Sequence, residues 1–325
     1  MRRFTVILAV LCVAAGALWY AVWTHIAGRI DNIVANTIAD ATGQGIALSC
    51  KDQEIGGFPL RFDVICGKVD AADAASGIQA AMAGLRTATP VYWPWQSSAN
   101  LASPLRLAGG SLPAPVNVTW SAAGISVDVA TPVPDRIAVS ASNMQAAFGE
   151  FAVLALNAQA ETRPAPDRLG VTLALSTTAS RLLWQGRKTD AADITANARI
   201  DAPPDAVMNG TFDPRRTGLS VHELTIRLQT EGALIQIAGP VRFDTSGMMS
   251  AKLDVHVAGA ETLPAYFMTL PAPAQPAANA FVGGMLALGV PASLDGRDAK
   301  ALALRIDGGV VRMGPVALAH IPPLF

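Results

Sequence analysis

The chain has 325 residues, with 24 basic side chains against 25 acidic ones, a net charge of -1, and 15% charged beside 51% hydrophobic residues. Globular domains carry about 25% charged residues, so this chain is apolar. The absence of a long run of either sign excludes a phosphate-tracking surface, and nucleic acid with it, while the length accommodates one large or two ordinary domains.

Residues 1–3 form a short basic tail carrying Arg2 and Arg3, and residues 4–23 contain no charge. Twenty helical residues rise about 30 Å, the thickness of a bilayer's hydrocarbon core. Trp19, Tyr20 and Trp23 gather at the far end of this stretch, where amphipathic rings suit the interface. The positive-inside rule places the N-terminus in the cytoplasm and the body on the other side. A cleaved signal peptide needs a shorter apolar core and a small-x-small site; here the run ends in bulky aromatics, and Leu11 precedes Cys12 where a lipoprotein cysteine needs a small neighbour.

Ile26, Ile30, Ile33, Val34 and Ile38 recur at helical spacing, so an amphipathic helix is expected to continue from the anchor over residues 24–42. Gly43 and Gly45 end it, and a β-rich domain is expected over residues 43–325. Cys50 and Cys66 are the cysteines of that body; an oxidising compartment would bond them, two buried thiols being the alternative.

From Ile46 onward the period is two. Leu60, Phe62 and Val64 alternate with Arg61, Asp63 and Ile65; Val116, Val118 and Trp120 form a second alternating set and Ile125, Val127 and Val129 a third, with Ala122, Ala123 and Gly124 expected to turn between them. The stretch from residue 219 to 257 reads as an antiparallel meander with a bulge at Ile235 and a turn at Asp244, Thr245, Ser246 and Gly247. An Ala-rich helix is expected over residues 275–288. Asp307, Gly308 and Gly309 mark a hairpin, and the C-terminal residues 314–325 read as a last strand. The two Leu-Arg-x-x-Gly-Gly matches, at Leu105 and Leu304, are too short for a repeat.

The fold class expected is mainly β: an N-terminal transmembrane helix, then a large curved antiparallel sheet with few helices, built as a trough, a sandwich or a barrel. Many outward strand positions are Ala, Gly, Ser or Thr, which makes the second sheet face only weakly polar.

No catalytic motif is found: there is no Gly-x-Ser-x-Gly elbow, no phosphate-binding loop and no metal-ligand spacing among His25, His222, His256 and His320. His222 and His256 fall on strands expected to be neighbours, but a third ligand is missing. Asp190 and Asp193 read as turn or surface residues. No cofactor and no metal are expected, and the chain reads as a non-enzyme. Tyr92, Trp93 and Trp95 concentrate three aromatics in four residues; they suit contact with an apolar ligand or the membrane interface, against the alternative of a buried cluster at a sheet edge.

Gly56-Gly57-Phe58-Pro59-Leu60-Arg61-Phe62, followed by Cys66, resembles the Gly-Phe-Pro-aromatic signature of a bacterial envelope family known as domain of unknown function 2125. The likeness extends to both ends of the chain, from the single membrane helix to Gly314-Pro315 and Pro322-Pro323-Leu324. Trp93-Pro94-Trp95-Gln96-Ser97 departs from the Pro-Trp-Asn-Pro-like segment of that family. The motif Gly57, Phe58, Pro59 reads as structural: glycine for a tight approach, Phe58 inserted into the core, Pro59 opening a strand. The family has no activity to carry over. Its plan is more distantly similar to AsmA-like envelope proteins, associated with lipid movement. With the anchor, the low charge and the weakly polar second face, this likeness leads to the expectation of an inner-membrane protein with a periplasmic body whose curled sheet binds or helps to move lipid; a structural or interaction module of an envelope complex is the alternative, with membrane lipid or an envelope protein as partner.

Overall fold

The computed structural model describes residues 2–110, 112, 114–129, 134–208, 212, 213, 215, 217–229 and 232–323. The chain divides into two compact units, Met1–Asp128 and Val129–Phe325. Both are antiparallel β structures; among the described residues the first carries one long helix and the second several shorter ones.

The first unit opens on α1, Arg2–Gly43, one helix of 42 residues. Its portion Val10–Gly43 is long and apolar enough to cross a membrane. Anchor and amphipathic segment are thus one rod, because no Gly-Pro break or cap separates them. Eight strands follow: β1 (Ile46–Lys51), β2 (Glu54–Gly56), β3 (Arg61–Cys66), β4 (Lys68–Asp73), β5 (Ile78–Pro90), β6 (Gln96–Gly109), β7 (Val116–Thr119) and β8 (Ala122–Val129). Their registers resolve them into a meander of five long runs. β1 and β2 together pair with β4 and β3, which line up end to end along β5; β5 pairs with β6.

β7 and β8 do not form the hairpin expected from sequence. Val118 pairs with Leu105 and Ala123 with Leu101, so both lie along the same edge of β6 as one interrupted run. Ala122, Ala123 and Gly124 are strand residues. Gly124 is there because a Cβ would come within 3.3 Å of the Ala99 carbonyl oxygen. The interruption falls instead at Trp120 and Ser121, where the Trp120 amide donates to Ser103 Oγ at 3.2 Å and its indole to the Leu101 carbonyl at 2.9 Å.

In the second unit β9 (Pro134–Phe148), β10 (Phe151–Pro164), β11 (Val171–Trp184), β13 (Ala192–Ile200), β14 (Leu219–Leu228), β15 (Leu234–Phe243), β16 (Met249–Ala258) and β18 (Arg297–Asp307) pair in that order, each antiparallel to the last. The two-residue β12 (Arg187–Lys188) adds to β11, β17 (Val290–Leu294) and β19 (Val310–Met313) pair with β18, and β20 (Val316–His320) pairs with β19. The expected C-terminal strand is thus β20; Leu324 and Phe325 lie outside the described residues. A short α2 (Pro204–Met208) separates β13 from β14. Between β16 and β17 come α3 (Leu263–Phe267) and α4 (Gln275–Leu288), the latter on the bounds read from sequence.

The expected bulge at Ile235 is absent. Ile226 pairs with Ile235 and Arg227 with Leu234 without a break, and the register shift lies between Val221 and Leu224. Two apolar residues in succession are accommodated because both sheet faces are covered there. Ile235 packs on the main core with Val255, Val257, Phe267, Val282 and Met285, and Leu234 packs on Ala258, Leu294 and Ala299 on the other side. α4 approaches β19 closely at Gly284, where any Cβ would collide with the Met313 side chain.

Candidate functional site: an aromatic clamp and an apolar sheet face

The tip of the first hairpin meets α1. Arg61 N–H donates to the Gly57 carbonyl at 3.1 Å, closing residues 57–60 into a turn. Gly57 has φ +98°, and a Cβ there would sit 2.7 Å from the Arg61 carbonyl oxygen, so the turn requires glycine. Phe58 does not enter the sheet core as expected. It stands 46% exposed and meets the helix edge-on, its ring 5.4 Å from Tyr20 and 5.6 Å from Trp23. Pro59 is a turn residue and β3 opens two residues later, at Arg61; the Phe58–Pro59 bond is cis.

Trp23 is buried and stacks on Phe62 at 5.4 Å, with its indole N–H donating to the Arg61 carbonyl at 3.2 Å; the Trp19 indole donates to the Pro59 carbonyl at 3.0 Å. A turn carbonyl at this position has a vacant lone pair, and an indole N–H needs an acceptor when half-buried. Higher along the helix, Gln53 Nε2 donates to Asp31 Oδ1 at 2.6 Å. The aromatics read as a membrane-interface belt are thus also the contact surface for the Gly57, Phe58, Pro59 motif.

On the opposite face of β3, Asp63 is 0% exposed. Its Oδ2 accepts from Arg86 Nη2 at 2.6 Å and its Oδ1 lies 3.0 Å from Arg61 Nε, close enough for an ion pair but without an aligned hydrogen bond. Alternation alone makes Asp63 an outward strand position; the signal for its burial is Arg61, two residues before it on the same face.

The same hairpin is stapled by a disulfide between Cys50 and Cys66, 16 residues apart. It spans the place where the paired runs both break, with Gly67 N–H donating to the Lys51 carbonyl at 2.8 Å. Replacing both cysteines by alanine is expected to cost about 3 kcal/mol, the chain entropy of a loop of that length. Denaturant unfolding of the full chain in mild detergent measures it, and an unchanged midpoint would mean that the sheet register alone holds the hairpin.

Tyr92, Trp93 and Trp95 occupy the turn between β5 and β6 at exposures of 70%, 47% and 49%, so they are not a buried sheet-edge cluster. Trp93 and Trp95 lie 5.0 Å apart at a tilt of 47°. His222 and His256 do not meet: they sit on β14 and β16, on either side of β15, where Gln236 is opposite His256. Asp193 is structural, accepting from the Ala179 amide at 2.9 Å and Gln229 Nε2 at 2.8 Å. Among the described residues no cluster of three His, Cys, Asp or Glu side chains could hold a metal.

Titration properties follow structural pairs. Hydrogen bonds from Arg136 and Arg163 hold the Glu161 carboxyl below its usual value, and Lys68 does the same for Asp70. Burial pushes the Tyr266 phenol up, against a hydrogen bond with Thr189.

The second unit separates its faces clearly. Asn197 and Glu223 pair on one side, as do Thr225, Gln236 and His256 in successive strands, so that face is more polar than the small residues elsewhere suggested. The other face carries an apolar band: Val139, Ala160, Leu175 and Ala196 stand in register across β9, β10, β11 and β13, and the band continues through Leu224, Ile237, Val255 and Leu302. Its far portion is roofed by α3 and α4. Nearer β9 it is open, with Val139 and Leu175 at 39% and 38% exposure. At the end of the same strands Phe148, Phe151 and Trp184 stack in a row, centroids 5.5 and 6.1 Å apart. No local pattern marks that row, since only register assembles it.

No curated protein and no solved structure matches the chain. A family model does, over residues 23–322, from the clamp tryptophan to the segment after β20, and it describes an uncharacterised protein conserved in bacteria. With nearly its whole length matched, the chain belongs to the DUF2125 family.

Proposed function

We propose that the protein is a non-enzymatic, single-pass envelope module whose second unit receives a lipid acyl chain on its apolar sheet face. The observation that carries this is the continuity of that face: the band packed against α3 and α4 runs on, in unbroken register, to Val139 and Leu175, which are left partly exposed. An acyl chain is a linear apolar ligand suited to a band a few residues wide, and an anchoring helix supplies proximity to membrane lipid. The Cys50–Cys66 disulfide favours an oxidising compartment. Together with Arg2 and Arg3 on the opposite side of the anchor, it supports a periplasmic body and a cytoplasmic N-terminus.

Leu175→Asp places a charge on the open strip while leaving the roofed core alone. The expected result is about tenfold less co-purifying lipid, the equivalent of about 1.4 kcal/mol of lost affinity. Native mass spectrometry of the full chain released in mild detergent, with lipid extraction, measures it. Equal lipid in both proteins, or none in either, overturns the reading; a protein displaced by the same substitution assigns the face to a partner chain.

A further inference from the structure

We propose that the hairpin tips at residues 57–60 and 91–95 form a second foot of the protein in the bilayer, seated beside the helix at the boundary between headgroups and acyl chains. The meander of the first unit places its turns at two ends. Residues 74–77 and Gly110 lie at one, and residues 57–60 and 91–95 lie at the other, because each long run reverses direction. The second tip is tied to the first: Arg61 is in register with Pro90, and Val91 N–H donates to the Leu60 carbonyl at 2.9 Å.

The level of this end is set by α1. Residues 57–62 touch the helix at Trp19, Tyr20 and Trp23, which close the charge-free stretch of residues 4–23. If that stretch fills the hydrocarbon core, both tips lie at its rim.

The chemistry of the two ends differs in the required sense. The tips present Phe58, Leu60, Tyr92, Trp93 and Trp95 to the outside without one charged residue in either turn. The other end turns through Asp73, whose carboxylate accepts from the Ala75 and Ser76 amides. Rings with an apolar body and a polar edge are the side chains that favour the bilayer interface. Phe58 joins the exposed surface of the first tip to the helix aromatics through its edge contacts with Tyr20 and Trp23. The inference rests on α1 spanning the bilayer and not on lipid occupying the second unit.

The test uses the full chain in nanodiscs of phosphatidylcholine and phosphatidylglycerol, with nitroxide labels and collision by oxygen or a water-soluble nickel chelate. Cys12 is the natural reference for the span, being the free cysteine on the exposed helix surface. In a Cys12→Ser background, Tyr92→Cys reports the foot and Ala75→Cys the opposite end. The expected result is a preference for oxygen over nickel several-fold higher at position 92 than at position 75, lost when Trp93 and Trp95 are both alanine. A label at position 92 as nickel-accessible as that at position 75, with Cys12 protected by lipid, overturns the foot alone. Nickel reaching Cys12 overturns the anchor and the foot together.

Discussion

Arg86→Ala lowers the stability of the full chain by about 2–3 kcal/mol, more than Asp63→Asn does, although Arg86 is half exposed and Asp63 is wholly buried. The asymmetry follows from what each change leaves behind. Arg86 provides the aligned hydrogen bond to the Asp63 carboxylate, while Arg61 is near the other oxygen without alignment. Removing Arg86 leaves a charge in a site of no solvent exposure with one imperfect partner, and breaking a buried pair this way costs about 3–5 kcal/mol where nothing else compensates. Arg61 and water entering the vacated volume lower that figure. Asp63→Asn removes the buried charge instead, and both arginines turn to solvent; the cost falls to about 1 kcal/mol for a weakened hydrogen bond. Thermal or denaturant unfolding of both variants in the same detergent gives the comparison. If Asp63→Asn proves the more damaging, the carboxylate is doing more than accepting from these two arginines.

Trp23→Ala detaches the hairpin tip from the helix. Trp23 contributes the stack on Phe62, the edge contact with Phe58 and the bond to the Arg61 carbonyl, and truncation of a buried aromatic costs about 3–5 kcal/mol. Because the lost contacts are between helix and tip, the effect is a local opening rather than global unfolding. Amide hydrogen exchange at Arg61, whose N–H closes the turn onto Gly57, is expected to speed up by roughly a hundredfold at about 3 kcal/mol. Amides of β15 in the second unit keep their rates. Trp19→Phe retains a ring and loses one indole bond, so it opens the tip less, by about 1 kcal/mol. Unchanged exchange at Arg61 in the Trp23 variant would show that turn and helix stand independently.

Alternation carries the fold class, the order of β14 to β16 and the Gly308–Gly309 hairpin, because those strands keep one apolar face and their turns use residues with a definite geometry. α4 was legible to the residue for a similar reason: Phe281, Met285 and Leu288 keep helical spacing after prolines that cannot sit inside a strand. The failures have physical causes as well. Glycine usually marks a turn, whereas Gly124 marks the close approach of a neighbouring backbone. A one-sided sheet cannot bury two successive residues without a bulge at Ile235, and this sheet is two-sided at that point. A phenylalanine beside a strand usually enters the core, whereas the partners of Phe58 are Tyr20 and Trp23, far earlier in the chain on the helix. The Asp63–Arg86 pair depends on a register between β3 and β5 that composition does not encode. Of the candidate site, the residues were visible and their assembly was not: Trp19, Tyr20, Trp23 and the Gly57, Phe58, Pro59 motif were each noticed, but only the meander brings them together.

From Thr24 to Gly43 the helix climbs about 30 Å beyond the level of the clamp, and β1 and β2 return along it to Gly57. Helix and hairpin are therefore two parallel struts, joined at the top by residues 43–45, at mid-height by Gln53 and Asp31, and at the base by the tryptophans. Such a braced pair behaves mechanically as a truss. A sideways pull on the sheet is resisted by compression in one strut and tension in the other, so it tilts the helix as a whole instead of bending it. The first unit therefore holds its own sheet on the helix as a stiff frame rather than on a tether.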